Sequence, residues 1–201
     1  MDEIAAELSL QGLLDAVAAR TTAPGGGVVS GVVAALAGAL CGMCARFSAG
    51  DQDSPVQRAD VQRADELRAR AAFLAQSDPA VYADYVRARR SGHGDDIAAA
   101  LDEAIRVPLE MAEVAAELAV LALRLARSGN PNLRGDATVA VLMGAAAARA
   151  GAALVAENLA GTGSDSRLAR AAAIVASVDA AERDVLLLYP ALAERANDGR
   201  H

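Results

Sequence analysis

The residues best suited to chemistry are few and widely spread. Asp78 and Tyr82 stand one helical turn apart, and Asp136 closes a polar stretch reading Gly129-Asn130-Pro131-Asn132-Leu133-Arg134-Gly135-Asp136. Carboxylates can place or deprotonate water, and a phenol can donate a proton. Asn130, Asn132 and Asn158 can read carbonyl and N–H groups, while Arg134 or the Arg87, Arg89, Arg90 cluster can meet a carboxylate through charge-assisted hydrogen bonds. Each also has a purely structural reading. Asp78 and Asp136 suit helix N-caps; Asn130 and Asn132 suit turns. Tyr82 suits a core or interface, and the arginines suit a solvated helix end. Asn158 is the anomaly, because asparagine is not favoured within a helix.

A second feature is the loop Pro24-Gly25-Gly26-Gly27, which opens an uncharged run from Val28 to Ala45. Glycine lets backbone approach a ligand closely, and the first N–H groups of a helix point back into such a loop. The result is a potential anion or carbonyl site, with Ser30 as the nearest hydroxyl. Along the helix that follows, Val29, Val33, Leu36, Leu40, Met43 and Phe47 step by alternating fours and threes as one apolar stripe. Ala34, Gly38 and Gly42 form a second stripe, of small residues. This spacing predicts a helix buried on most sides, in a bundle core or at a subunit interface. It is long enough to cross a membrane, but its richness in Gly and Ala and the lack of a second convincing span argue against that.

The elements that must position these groups are helices. The 201 residues suit one domain, and hydrophobic residues make up 54% of them, largely alanine, while aromatics are 2%. Such an interior must be thin, so its helices must pack closely. The net charge of -7, with arginines interleaved among acids, argues against nucleic-acid binding. Cys41 and Cys44 form a C-x-x-C deep in an apolar helix, where they read as small buried hydrophobes; no metal site is expected, and the cytoplasm is the expected location.

In order, the pattern predicts helices over 2–19, from the glycine loop to about 49, and from 56 after a turn capped by Ser54. A restart follows at Ser77-Asp78-Pro79, capped by Ser77 or Asp78, and another after Ser91-Gly92-His93-Gly94, capped by Asp95 or Asp96. That helix should be kinked, not ended, by Pro108. Asp136 should cap the Ala-rich helix over 137–160, and a last helix should run over 166–195. The expected fold is all-α: a single-domain bundle of six to eight helices over residues 1–201, with no sheet.

Taken together, several short motifs resemble the C-terminal family of formiminotransferase-cyclodeaminases, across nearly the whole chain. They are Leu13-Leu14-Asp15, Pro24 to Gly27, the run 34–40, Asp78 with Tyr82, Val107-Pro108-Leu109, Gly129-Asn130 with Asn132 and Asp136, and Asn158-Leu159. The resemblance implies a helical, commonly dimeric protein acting on one-carbon units of tetrahydrofolate, as methenyltetrahydrofolate cyclohydrolase or formimidoyltetrahydrofolate cyclodeaminase. It needs no cofactor beyond the folate substrate. On that footing Asp78, Tyr82 and Asp136 are the expected catalytic groups. Gly25, Gly26, Gly27, Ser30, Asn130, Asn132, Arg134 and Asn158 are the expected substrate contacts, with the two loops forming the site, within one chain or across a dimer interface. Two positions depart from the family pattern: Val28 stands where serine is usual, and 86–92 lacks the frequent Lys-Pro. The alternative they raise is a noncatalytic helical dimer that binds folate or a small anion.

Overall fold

The computed structural model describes residues 9–49 and 55–191. The expected helix over 2–8 and the Ser54 cap lie outside these residues. The described chain is all-α, with six helices: α1 (Leu10–Ala18), α2 (Gly26–Ala49), α3 (Pro55–Ser91), α4 (Gly94–Ser128), α5 (Arg134–Asn158) and α6 (Ser166–Leu186). A short 3-10 turn, Pro131–Leu133, leads into α5.

The helices α2 to α5 alternate in direction. The start of α2 meets the late part of α3, where Gly27 faces Asp78, and its far end meets the start of α5, where the Cys44 thiol faces the Leu133 carbonyl. The end of α5 returns to the early part of α4, where Asn158 meets Ala104. Glycines set the closeness of this packing. A methyl group on Gly31 would lie 2.6 Å from the Ala75 Cβ, and one on Gly38 would lie 2.8 Å from the Arg68 Cβ. On α5, Gly144 and Gly151 press in the same way on Ala115 and Pro108 of α4. Each pair is seven residues apart, two helical turns, so both members face one neighbour. Backbone-to-backbone contact thus fills an interior that has few aromatics to fill it.

Three expectations are corrected. First, α3 does not restart at Ser77-Asp78-Pro79 but runs through Pro79 for 37 residues. The Ser77 hydroxyl donates to the Phe73 carbonyl one turn back, and the Asp78 carboxylate serves another helix, so neither caps its own. Second, α5 begins at Arg134 and α4 at Gly94, which puts Asp136 and Asp95 with Asp96 inside the first turns, where acids still suit the dipole without capping. Third, α6 ends at Leu186, and the part of the expected helix beyond 191 lies outside the described residues. Pro108 behaves as expected, lying within α4 without ending it.

The structure shows which side of α2 turns inward. Its small face, including Ala34, Gly38, Cys41 and Gly42, is buried because only such residues fit against α3, α4 and α5 at this range. Of the large stripe, Val29, Leu36 and Phe47 are exposed at 39%, 51% and 65%, while Val33, Leu40 and Met43 are half-buried against the core. Furthermore, a second helix is long and apolar enough to cross a membrane: Pro131–Asn158 meets the same criterion as α2, each with about half of its apolar window buried in the fold.

Candidate active site

A cavity of about 260 Å³ opens at the N-terminal end of α2. Thr22 and Gly25 to Gly27 form one wall. Asp78, Pro79 and Tyr82 come from α3, Val107 and Pro108 from α4, and Leu154, Glu157 and Asn158 from α5. Residues far apart in sequence meet here because α3 and α5 both end their return course where α2 and α4 begin.

The Asp78 carboxylate accepts the backbone N–H of Val28 and therefore caps α2 from a different helix. Gly27 makes room for it: a Cβ there would overlap the carboxylate oxygens. Burial pushes the Asp78 carboxyl above its ordinary value, and the Val28 N–H partly opposes the rise. An acid held this way can both take and return a proton near neutrality more readily than a surface carboxylate. Tyr82, one turn further along α3, stands half-exposed at the cavity mouth.

Asn158 is the last residue of α5. Its Nδ2 donates to the Ala104 carbonyl at 2.7 Å. In an α-helix that carbonyl would accept from residue 108, but Pro108 has no N–H to give. The side chain of α5 thus satisfies an acceptor orphaned in α4. A carbonyl can only accept, so the nitrogen must face Ala104, and Oδ1 is left as an acceptor for a ligand.

Other expected site residues fall elsewhere. The Ser30 hydroxyl bonds back to the Gly26 and Gly27 carbonyls at 2.8 and 3.0 Å and does not line the cavity. Asn130, Asn132, Arg134 and Asp136 lie at the opposite end of α2, beside Cys44. From Gly27 to Cys44 the helix rises about 25 Å, so within one chain the two loops do not form one site. Asn130 is occupied structurally: its N–H donates to the Ser48 hydroxyl at 2.8 Å, its Nδ2 to the Phe47 carbonyl at 3.3 Å, and its Oδ1 accepts from the Asn132 N–H at 3.0 Å. Arg87 pairs with Asp84 and Arg89 with Tyr85 on the exposed end of α3, outside the cavity.

Thr22, Leu154 and Glu157 line the cavity without having been singled out. Only Glu157 carried a signal, as a charge interrupting an Ala-rich helix. With it the cavity is lined, among the described residues, by two carboxylates and no basic side chain. Val28, the departure from the family pattern, is 2% exposed in the core, so its side chain takes no hydroxyl from the cavity. Cys41 and Cys44 are buried and unbridged, and burial pushes the Cys41 thiol up to about 12. A thiol so held is a poor nucleophile.

The comparisons agree with the motifs. The sequence profile of the formiminotransferase-cyclodeaminase family matches residues 9–177, and the chain belongs to that family. Among solved structures, the formiminotetrahydrofolate cyclodeaminase from Thermotoga maritima is similar at 27% identity, with a TM-score of 0.83 over 93% of this chain and 98% of that one. No curated protein gives a significant match.

Proposed function

We propose that this member of the formiminotransferase-cyclodeaminase family is a tetrahydrofolate one-carbon enzyme that closes a 5-formimino group onto N10 with release of ammonia. The observation that carries this reading is the cavity lining: an elevated carboxyl at Asp78, a second carboxylate at Glu157, and no arginine among the described lining residues. Such a lining suits a cation rich in N–H donors and opposes an anion. A protonated formimino group is an amidinium, and the methenyl bridge it becomes is also a cation, so the positive charge persists along the whole reaction.

The steps balance as follows. The N10 lone pair adds to the formimino carbon, and the N10 proton passes to the Asp78 carboxylate. Asp78 then returns that proton to the amino nitrogen, the C–N bond breaks with its electron pair leaving on nitrogen, and ammonia departs from the methenyl cation. One carboxyl near the reacting atoms thus serves as base and then as acid. Asn158 Oδ1 accepts from a ring N–H, and Tyr82 at the mouth donates to the departing nitrogen or covers it. Hydrolysis of the methenyl bridge would use the same carboxylate to activate water, so both substrates belong in one assay.

The noncatalytic alternative draws on Val28 and on the absent Lys-Pro; Val28 is buried in the core and does not line the cavity, which leaves the absent Lys-Pro as its support. The two unbridged buried thiols suit a reducing compartment, and the cytoplasm is the location proposed. The test is spectroscopic. Purified protein given 5-formiminotetrahydrofolate should form the methenyl chromophore with an equal amount of ammonia, and Asp78→Asn should abolish both. Methenyl formation from the formimino substrate and methenyl loss from the methenyl substrate, both no faster than in buffer, would overturn the enzymatic reading.

A further inference from the structure

We infer that Glu157 sets the specificity of the cavity, its carboxylate taking the paired donors at the aminopyrimidine end of a tetrahydropterin, the 2-amino group and the adjacent N3–H. The role rests on the folate reading and adds to it the end of the substrate that α5 recognises.

The placement of Glu157 has no structural explanation. It stands one residue before the end of α5, where the unpaired helix carbonyls disfavour an anion, and no basic residue shares that last turn. Among the described residues its side chain makes no hydrogen bond and no ion pair. The other six described glutamates, Glu66, Glu103, Glu110, Glu113, Glu117 and Glu182, each pair with an arginine. A glutamate that serves this fold comes with a cation, and Glu157 lacks one. Its carboxylate is instead exposed to the cavity, with both oxygens open.

Its neighbours narrow the ligand. Leu154, Glu157 and Asn158 are three and four residues apart, share one face of α5, and together form a wall of the cavity. Asn158 turns its Nδ2 to the Ala104 carbonyl at 2.7 Å, so its Oδ1 is the atom presented beside the carboxylate. That side of the cavity therefore asks for N–H donors, while Leu154, with Val107 and Pro108 of α4, offers apolar surface to a flat ring. A carboxylate with two free oxygens matches two parallel N–H donors. In a tetrahydropterin the 2-amino group and N3–H form such a pair, at the far end of the bicycle from the N5 that carries the formimino group. Asp78 comes from a different helix, α3, and is tied to the Val28 N–H at the start of α2. The two carboxyls thus divide the substrate, Asp78 at the reacting end and Glu157 at the end that is read.

Calorimetry tests the contact without turnover, using 5-formyltetrahydrofolate and its analogue with methyl in place of the 2-amino group. Wild-type protein should bind the parent about 10- to 100-fold more tightly than the analogue, the loss expected for a hydrogen bond to a charged group. Glu157→Gln sets an amide N–H against the donor pair. It should weaken the parent by a similar factor and the analogue less, so that the preference falls by about tenfold or more. The variant should also melt no lower than wild type, because the change removes an anion from a helix C-terminus. A preference that Glu157→Gln retains would overturn the inference, as would a lower melting temperature, which would make Glu157 a structural residue. Both outcomes leave the folate reading standing. Wild-type protein that does not bind the parent would overturn that reading and this inference together.

Discussion

The Asn158 amide donates to the Ala104 carbonyl at 2.7 Å, and Ala104 is the residue whose helical acceptor Pro108 leaves unmatched. A kink-tolerant proline in one helix and an asparagine at the end of another are therefore one device. It predicts that Asn158→Ala destabilises the fold by about 1–3 kcal/mol, the penalty of leaving a buried carbonyl unpaired. In the Pro108→Ala background the backbone N–H is restored, so the same Asn158→Ala change should cost less. Chemical denaturation of the four proteins in a double-mutant cycle measures the coupling, and simple additivity would show the two residues to be independent.

Glycines 25 to 27 are not equivalent. A Cβ at Gly27 would overlap the Asp78 carboxylate, whereas at Gly25 the nearest heavy atom would be 3.9 Å away and at Gly26 4.0 Å away. Gly27→Ala should therefore displace Asp78, lose about 1–3 kcal/mol of stability and abolish turnover. Gly25→Ala and Gly26→Ala should each melt within about 0.5 kcal/mol of wild type. Thermal unfolding of the three variants distinguishes these outcomes.

Asp78 should impose a pH dependence of definite sign. Its carboxyl is raised in the fold by burial, so the native state holds the proton more tightly than the unfolded chain does. Its contribution to stability is full below the ordinary carboxylate value and is lost as pH rises through the raised native value. Binding of a cationic ligand runs the other way, because it needs the ionised form and weakens as pH falls through that same value. Asp78→Asn should remove both slopes, readable by denaturation and by calorimetry across the acid range.

The contact between α4 and α5 is close at Gly144, where an added Cβ would lie 2.9 Å from the Ala115 carbonyl and 3.1 Å from the Ala119 nitrogen. Both are backbone atoms that cannot turn aside. Gly144→Ala should lose about 1–3 kcal/mol. Gly135→Ala, with open space around it in the first turn of α5, should be neutral or up to about 1 kcal/mol more stable, as alanine favours the helix. Urea titration of the two variants makes the comparison.

By itself the sequence determined that the chain is a close-packed helical bundle, because alanine and glycine at helical spacing leave no other way to fill an interior almost without aromatics. It also marked Gly25 to Gly27, Asp78, Tyr82 and Asn158, through short motifs that local composition makes conspicuous. What each does was decided by tertiary structure. Asp78 looks like the cap of its own helix, yet it caps α2, since a hydrogen bond between helices has no signature in local sequence. Asn158 looks anomalous until Ala104 and Pro108 are placed beside it. The α2 stripe shows its period but not its side, because burial depends on which neighbours come closer, and here glycine brought them to the opposite face. The length of α2 also settled that Asn130 to Asp136 lie about 25 Å from the cavity within one chain, a distance that no pattern of residue types encodes.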